Sequence, residues 1–359
     1  MSEPDQRRIR ELRARAQAVG GGVREDSPAD VVRRVFAVQA QDAGAAALGI
    51  RARGHGITAE TVRAAYEDER GIVRGWFLRG TLHTVPAADA RWLLRLLAPG
   101  ILAATVRRYG QLGLDDVTLA ASDELLGRTV AAQGPLTRAE LTQVLGPLGI
   151  PAKSQAPFHL IRHAALTGVL CHGPQRAGEA TYVLLDDWLP PTAGPEGDAA
   201  EAELARRYLA AYAPATPEDF ATWSGLPVTR ARRAWQALAA EGTTTPYDAT
   251  LTTLAAAPAP EPPAPGTPDV RLLPAYDGYL LGHRTRATSV PAPHESRVWP
   301  GGGIIRPTVL VDGLTVATWT RTSTKPLINV DPFAPLPPEL AESVARESAA
   351  VTAFLRPEA

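Results

Sequence analysis

The sequence predicts a mainly helical fold with some β-structure, in which a unit of three helices and a hairpin occurs three times ahead of a β-rich C-terminal region. Three observations carry this expectation. Helix-start signals and helical apolar spacing recur at Ser27, Thr58, Ser122, Thr137 and Thr216. Each third helix of a unit is followed by short alternating stretches suited to paired strands. After a Pro/Ala-rich passage from Ala255 to Pro268, strand patterns dominate. A chain of 359 residues, 45% of them hydrophobic, can build several small cores.

In chain order, residues 5–19 place Ile9, Leu12, Ala16 and Val19 at helical spacing, and Gly20-Gly21-Gly22 stops the run. Ser27 and Pro28 are the N-cap and first-turn proline of a second helix, predicted over 27–41, with Val31, Val35 and Val38 inward. A third helix starts at Thr58, with Glu60 and Thr61 in its first turn, and runs to Glu69. Ile72 to Val85 alternates as a two-stranded hairpin. Three helices and a hairpin are the element order of a winged helix, a helix-turn-helix variant. Pro86 to Tyr109 adds an amphipathic helix carrying Trp92, Leu93, Leu96 and Leu97.

The order recurs at 122–189. Ser122 is read as the cap of a helix ended by Gly134-Pro135, Thr137 and Glu140 form a capping box, and Ser154 to Thr167 is the third helix. Gly168–His172 and Thr181–Leu185 supply the hairpin. In a third copy, Glu201–Tyr212 is helical, Thr216-Pro217-Glu218-Asp219 opens a second helix, and Pro227–Ala240 is the third, with Thr243–Leu254 as hairpin. Beyond the Pro-rich linker, strands are expected at Val270–Leu273, Tyr279–Leu281, Ile304–Val311 and Leu314–Trp319, with a turn at Asp312-Gly313. A last helix covers Pro337–Leu355. The resulting modules are 1–120, 121–190, 200–255 and 256–359.

The formal charge of -1 gives no overall case for a nucleic-acid partner. Its distribution says more, because Arg271, Arg284, Arg286, Arg297, Arg306, Arg321 and Lys325 face only Asp277, Glu295 and Asp312 within one stretch. Lys153 and Lys325 are the only lysines. Arginine suits bidentate phosphate contacts, although an Ala/Arg/Pro-rich composition also arises from a GC-rich genome. Cys171 is the single cysteine, which excludes an intrachain disulfide and a cysteine-based zinc cluster. A charged N-terminus and the lack of a membrane-length apolar run lead to the expectation of a soluble, cytoplasmic protein.

No Walker loop, dinucleotide fingerprint, nucleophile elbow or metal-ligand spacing is present, and no cofactor is expected. His159 and His163 lie four apart, yet no third ligand is nearby in sequence, so no metal is assigned. Asp42 and Asp277 are carboxylates in motif-like surroundings that a turn or cap also explains. The other polar feature is Gln39-Ala40-Gln41-Asp42 at the end of the second helix. Residues two apart on a regular helix point in nearly opposite directions. Both amides can serve one site only if the helix breaks near Gln39, and Gly44 allows a break soon after. Otherwise they are a polar helix end.

Taken together, Gln39-Ala40-Gln41-Asp42, Trp76-x-x-Arg79-Gly80-Thr81-Leu82-His83, Leu272-Leu273-Pro274-Ala275-Tyr276-Asp277, Leu281-Gly282-His283-Arg284-x-Arg286, Gly303–Gly313 and Trp319 resemble the winged-helix DNA glycosylases of the AlkZ and YcaQ type. The resemblance runs from about Arg8 to Arg321. It implies tandem winged helices arranged in a C around double-stranded DNA, a C-terminal β-barrel-like domain, and excision of N-alkylated purines or unhooking of interstrand cross-links. It also implies catalysis by Gln39 and Gln41; glutamine rather than aspartate at 41 points to the AlkZ branch. A groove-probing β-hairpin is expected at Arg297–Val311. DNA contacts are expected from Arg79, His83, Arg284, Arg286, Arg297 and Arg306, on a monomer with no membrane partner. A different class, a non-catalytic winged-helix regulator, would read bases with Lys153, Gln155, His159, Arg162 and His163 around the helix at 154–167.

Overall fold

A computed structural model describes residues 2–255, 268–323 and 327–356. The predicted Pro-rich linker falls almost wholly outside these residues, as does Lys325. Helix (52%) outweighs strand (17%), as the sequence class requires.

The chain opens with α1 (Glu3–Ala16), α2 (Pro28–Val35), the short strand β1 (Val38–Gln39), α3 (Ala43–Arg51) and α4 (Ala59–Glu67). The hairpin strands β2 (Ile72–Trp76) and β3 (Leu82–Pro86) follow, then α5 (Ala90–Gln111) and α6 (Asp116–Gln133). Next come β4 (Leu136–Thr137), α7 (Arg138–Val144), α8 (Ala156–Leu166), β5 (Leu170–Arg176), β6 (Glu179–Leu184) and the single turn α9 (Leu185–Trp188). The third helical set is α10 (Gly197–Tyr212), α11 (Pro217–Ser224) and α12 (Val228–Ala240), with β7 (Thr244–Pro246) and β8 (Thr252–Leu254). The remainder is β9 (Val270–Leu273), α13 (Gly278–Leu281), α14 (Glu295–Val298), β10 (Thr308–Val311), β11 (Leu314–Arg321), β12 (Ile328–Pro332) and α15 (Pro338–Phe354).

Two compact units emerge, one of residues 63–201 and one of residues 1–62 with 202–359. In the first, Thr137 accepts from the Glu140 N–H while the Glu140 carboxylate accepts from the Thr137 N–H, closing the predicted capping box at the start of α7. The strands β4, β6 and β5 form a sheet in that order, and β2 pairs antiparallel with β3 so that Gly75 faces His83. Leu126, Val130, Leu141, Leu160, Ile161 and Leu170 build the core with Trp76. The cap of α6 is Asp115, which accepts from Thr118, and not Ser122. Ser122 is fully buried within that helix and donates to the Leu119 carbonyl, a bond that suits a helix interior.

In the second unit the C-terminal strands make an open antiparallel sheet of order β12-β11-β10-β9. Among the described residues the expected barrel-like closure is not formed: β9 and β12 are opposite edges, and α15 covers a face. Val344 and Val351 pack with Leu272, Val309, Ala317 and Trp319. Asp312 and Gly313, both with positive φ, form the predicted turn between β10 and β11. Tyr279–Leu281, expected as strand, is a helical turn because the Asp277 carboxylate caps it through the Tyr279 N–H.

Candidate active site

The predicted second helix starts as expected, with Ser27 accepting from the Asp30 N–H at 3.1 Å and Pro28 in the first turn. Val31, Val32 and Val35 are buried, and Arg34 ties the helix to the Arg15 and Ala16 carbonyls. The break comes earlier than the sequence suggested. The last helical bond runs from the Phe36 N–H to the Val32 carbonyl, after which Phe36 (φ 39°) and Ala37 (φ 78°) both enter the left-handed region. Each such non-glycine residue costs on the order of 1–3 kcal/mol. Burial offsets this, because Phe36 and Ala37 are only 1% and 4% exposed. The Arg207 guanidinium lies over the Phe36 ring at 5.1 Å, and Glu203 holds that guanidinium at 2.6 Å.

Beyond the break the chain is extended at β1, where alternate residues share a face. Val38 and Ala40 are buried, whereas Gln39 is half-buried and Gln41 exposed. Two residues apart is thus the spacing that brings the amides together, and Gln39 Nε2 donates to Gln41 Oε1 at 2.7 Å. Gly44, expected to permit the break, instead lies in the first turn of α3. Asp42 caps that helix, its Oδ1 accepting from the Ala45 N–H at 2.9 Å.

The far end of α3 is anchored from inside the same unit. Arg53, 2% exposed, donates both terminal nitrogens to the Asp277 carboxylate at 2.7 and 2.8 Å and bonds the Gly49 and Gln17 carbonyls. A β-carbon at Gly49 would sit 3.3 Å from Asp277 Oδ2, so glycine permits this close approach. Asp277 is therefore an anchor and a cap. No local pattern in the sequence marks Arg53, Phe36, Ala37 or Arg207, and the Arg53–Asp277 pairing spans 224 positions.

The family model for "DNA glycosylase AlkZ-like" matches residues 32–354. The chain belongs to the AlkZ-like DNA glycosylase family. It is 32% identical over 325 residues to an interstrand DNA cross-link repair glycosylase of Streptomyces sahachiroi, covering 82% of each chain. It is also similar to the solved structure of the Streptomyces sahachiroi DNA glycosylase AlkZ, with a TM-score of 0.77, 26% identity and 96% of both chains covered.

In this AlkZ-like chain the expected DNA-contacting residues have unequal surroundings. Arg79 is exposed on the turn Leu78–Gly80 between β2 and β3, at φ 55°. His83 is buried in β3 with Nδ1 3.0 Å from the Thr81 carbonyl, and burial pushes its pKa down to about 3. It is neutral at neutral pH and brings no charge to a phosphate. The Arg284 side chain is exposed while its N–H donates to Asp219. Arg286 stacks on Trp299 at 3.6 Å. Arg297 is committed to Asp331 at 2.7 Å and packs over Phe333. Arg306 is exposed. Residues 297–306 double back without paired strands, closed by one antiparallel bridge between Gly301 and Ile304 and by the Arg306 N–H donating to the Val298 carbonyl at 3.0 Å. Glu295–Val298 is helical, Gly301, Gly302 and Gly303 all take positive φ in a tight turn, and β10 pairs forward with β11. That turn does present Ile304, half exposed.

Two further features lie elsewhere. His163 Nδ1 lies 3.0 Å from the Asp123 carboxylate. Among the described residues no group of three His, Cys, Asp or Glu side chains is arranged to hold a metal ion. Cys171 is buried in β5, and burial raises its thiol to about 12.

Proposed function

We propose that this protein is a monofunctional DNA glycosylase that releases cationic N7- or N3-alkylated purines from double-stranded DNA and unhooks interstrand cross-links built on such adducts. The observation that carries the reading is the pair of amides, Gln39 and Gln41, converging on one side of an extended segment at 2.7 Å. Glycosidic cleavage ordinarily uses an acid for the leaving group and a carboxylate facing an oxocarbenium-like sugar. An N-alkylated purine already carries positive charge and departs as a neutral base, so the acid is unnecessary. What remains is to orient water and face the sugar cation. An amide oxygen accepts from water or faces the cation, while the NH2 of its neighbour fixes its direction. Glutamine does not titrate usefully, so unmodified bases are poor substrates. The chain has only two lysines, Lys153 and Lys325, and the monofunctional reading assigns neither as an amine nucleophile for strand cleavage.

The helix–helix–helix–hairpin order at α2–α4, α6–α8 and α10–α12 supports three tandem winged-helix modules ahead of the C-terminal sheet. On this reading the exposed Arg79, Arg284 and Arg306, with Arg286, contact phosphate, and the protein acts as a monomer. The named Streptomyces relative and its role in cross-link repair support the same substrate class.

The test is incubation of the full chain with a duplex carrying one N7-methylguanine, scoring abasic sites. Base release is expected there and not from unmodified guanine. Tight binding of a particular sequence without release would instead favour a regulator.

A further inference from the structure

The only adjacent non-glycine residues with positive φ among the described residues are Phe36 and Ala37, two positions before the first glutamine. No turn glycine is used there, although glycine is the residue that adopts this conformation without penalty. Strain of this kind persists only where surrounding structure over-determines it. Here the surroundings are identifiable. The Phe36 ring and the Ala37 methyl are buried, and the Arg207 guanidinium, itself fixed by Glu203, covers the ring. Val38 and Ala40 are buried on the inward side of the following residues, so the segment cannot roll about its own axis. Asp42 then starts α3, and Arg53 with Asp277 fixes the other end of that helix. The amide pair is thus carried by a short segment clamped at both ends, with the tightest bend next to it.

We propose that Phe36, Ala37 and Arg207 are positioning residues whose packed, left-handed turn aims Gln39 and Gln41 at one reacting centre. The proposal rests on the glycosylase reading for its catalytic consequence, but not for the ordering of the amides. A glycine at 37 fits the observed φ, so Ala37→Gly relieves strain and folds; what it removes is the buried methyl and the steric limit on the turn. The motif should then sample other orientations while the rest of the molecule is unchanged.

Three variants, Ala37→Gly, Ala37→Ser and Arg207→Met, would be compared with the wild type by duplex affinity, single-turnover base release and thermal melting. Side-chain amide relaxation of Gln39 would be measured by NMR. Ala37→Gly is expected to bind DNA as the wild type does and to melt no lower, yet to release base about tenfold or more slowly, since small misplacements of reacting groups cost this much. Its Gln39 amide should become mobile, with Arg207→Met shifting the same way. Ala37→Ser, which keeps the β-carbon, should retain the rate. Wild-type release and Gln39 order in Ala37→Gly would overturn the proposal, as would a loss of rate explained by unfolding. A wild type that releases no base would defeat the glycosylase reading alone, because the Gln39 relaxation still decides whether the turn holds the amides.

Discussion

Residues 136–184 and residues 36–42 are built on opposite principles. In the first stretch most elements begin and end where their residues favour it, with Ala177 (φ 51°) in the β5–β6 turn as an exception. Thr137 and Glu140 cap one another, Gly168 takes the positive φ (83°) after α8, and β5 and β6 close as a hairpin over Leu160 and Leu170. In the second, a helix ends with no glycine, two buried apolar residues take the left-handed conformation, and two amides face outward. Local preference and global fold agree where only stability is required. They disagree at the segment that, on the proposed reading, aims two side chains, and the surrounding core offsets the disagreement.

The contrast can be broken most severely at Arg53. Replacing it with leucine leaves the Asp277 carboxylate buried without its cation, which costs about 3–5 kcal/mol. Denaturant unfolding should show a large fall in midpoint, and base release should fall with the folded fraction. Gln41→Ala is next, with a drop of about 10²–10³ in single-turnover release at unchanged duplex affinity, as when one preorganised hydrogen-bonding group is removed. Gln39→Ala should resemble it, and the double variant should be less than additive. A Gln41→Ala variant as fast as the wild type would make the amide a structural feature.

A pH series sharpens the comparison from the other side. His172 is buried against Trp76 and Tyr182, and burial, aided by Arg74, pushes its pKa down to about 3. Its unfolded value is about 6.5. The unfolded chain therefore binds more protons between those values, so this contribution to stability is complete above about pH 6.5 and is lost as pH falls toward 3. His172→Phe should show a shallower decline on acidification, while base release, which on the proposed reading rests on non-titrating amides, should keep its pH profile. The smallest effect is expected from Thr137→Ala, a cap loss of about 1 kcal/mol. Melting should fall slightly with no change in single-turnover rate; a slowed rate would mean that the regular stretch also aims the site.

The legible parts of the sequence are those with a local chemical signature. The capping box at Thr137, the helix start at Thr216, the Asp312-Gly313 turn and the hairpin after α4 can be read because a few adjacent residues specify each. The end of α2 is hidden in the sequence because Val38 continues the helical apolar spacing, and only tertiary burial of Phe36 and Ala37 reveals the bend. The alanine-rich α3 is hidden in the sequence because Gly44 reads as a breaker, although Asp42 is a good N-cap. Strand β12 carries polar Asn329 and Asp331 and has pairing on one side only, which leaves a weak pattern. The two glutamines were visible as a motif, but their convergence needed the backbone.

The lone thiol of Cys171 has a consequence for the conditions in which such a protein works. The proposed substrates arise where electrophiles circulate, and a thiolate is the nucleophile those electrophiles would find first. With its thiol buried and pushed up to about 12, Cys171 remains protonated and out of reach. The folded chain therefore offers alkylating agents no ready sulfur nucleophile at cysteine. It is also a clean background for a single engineered cysteine beside Gln41 through which DNA could be tethered.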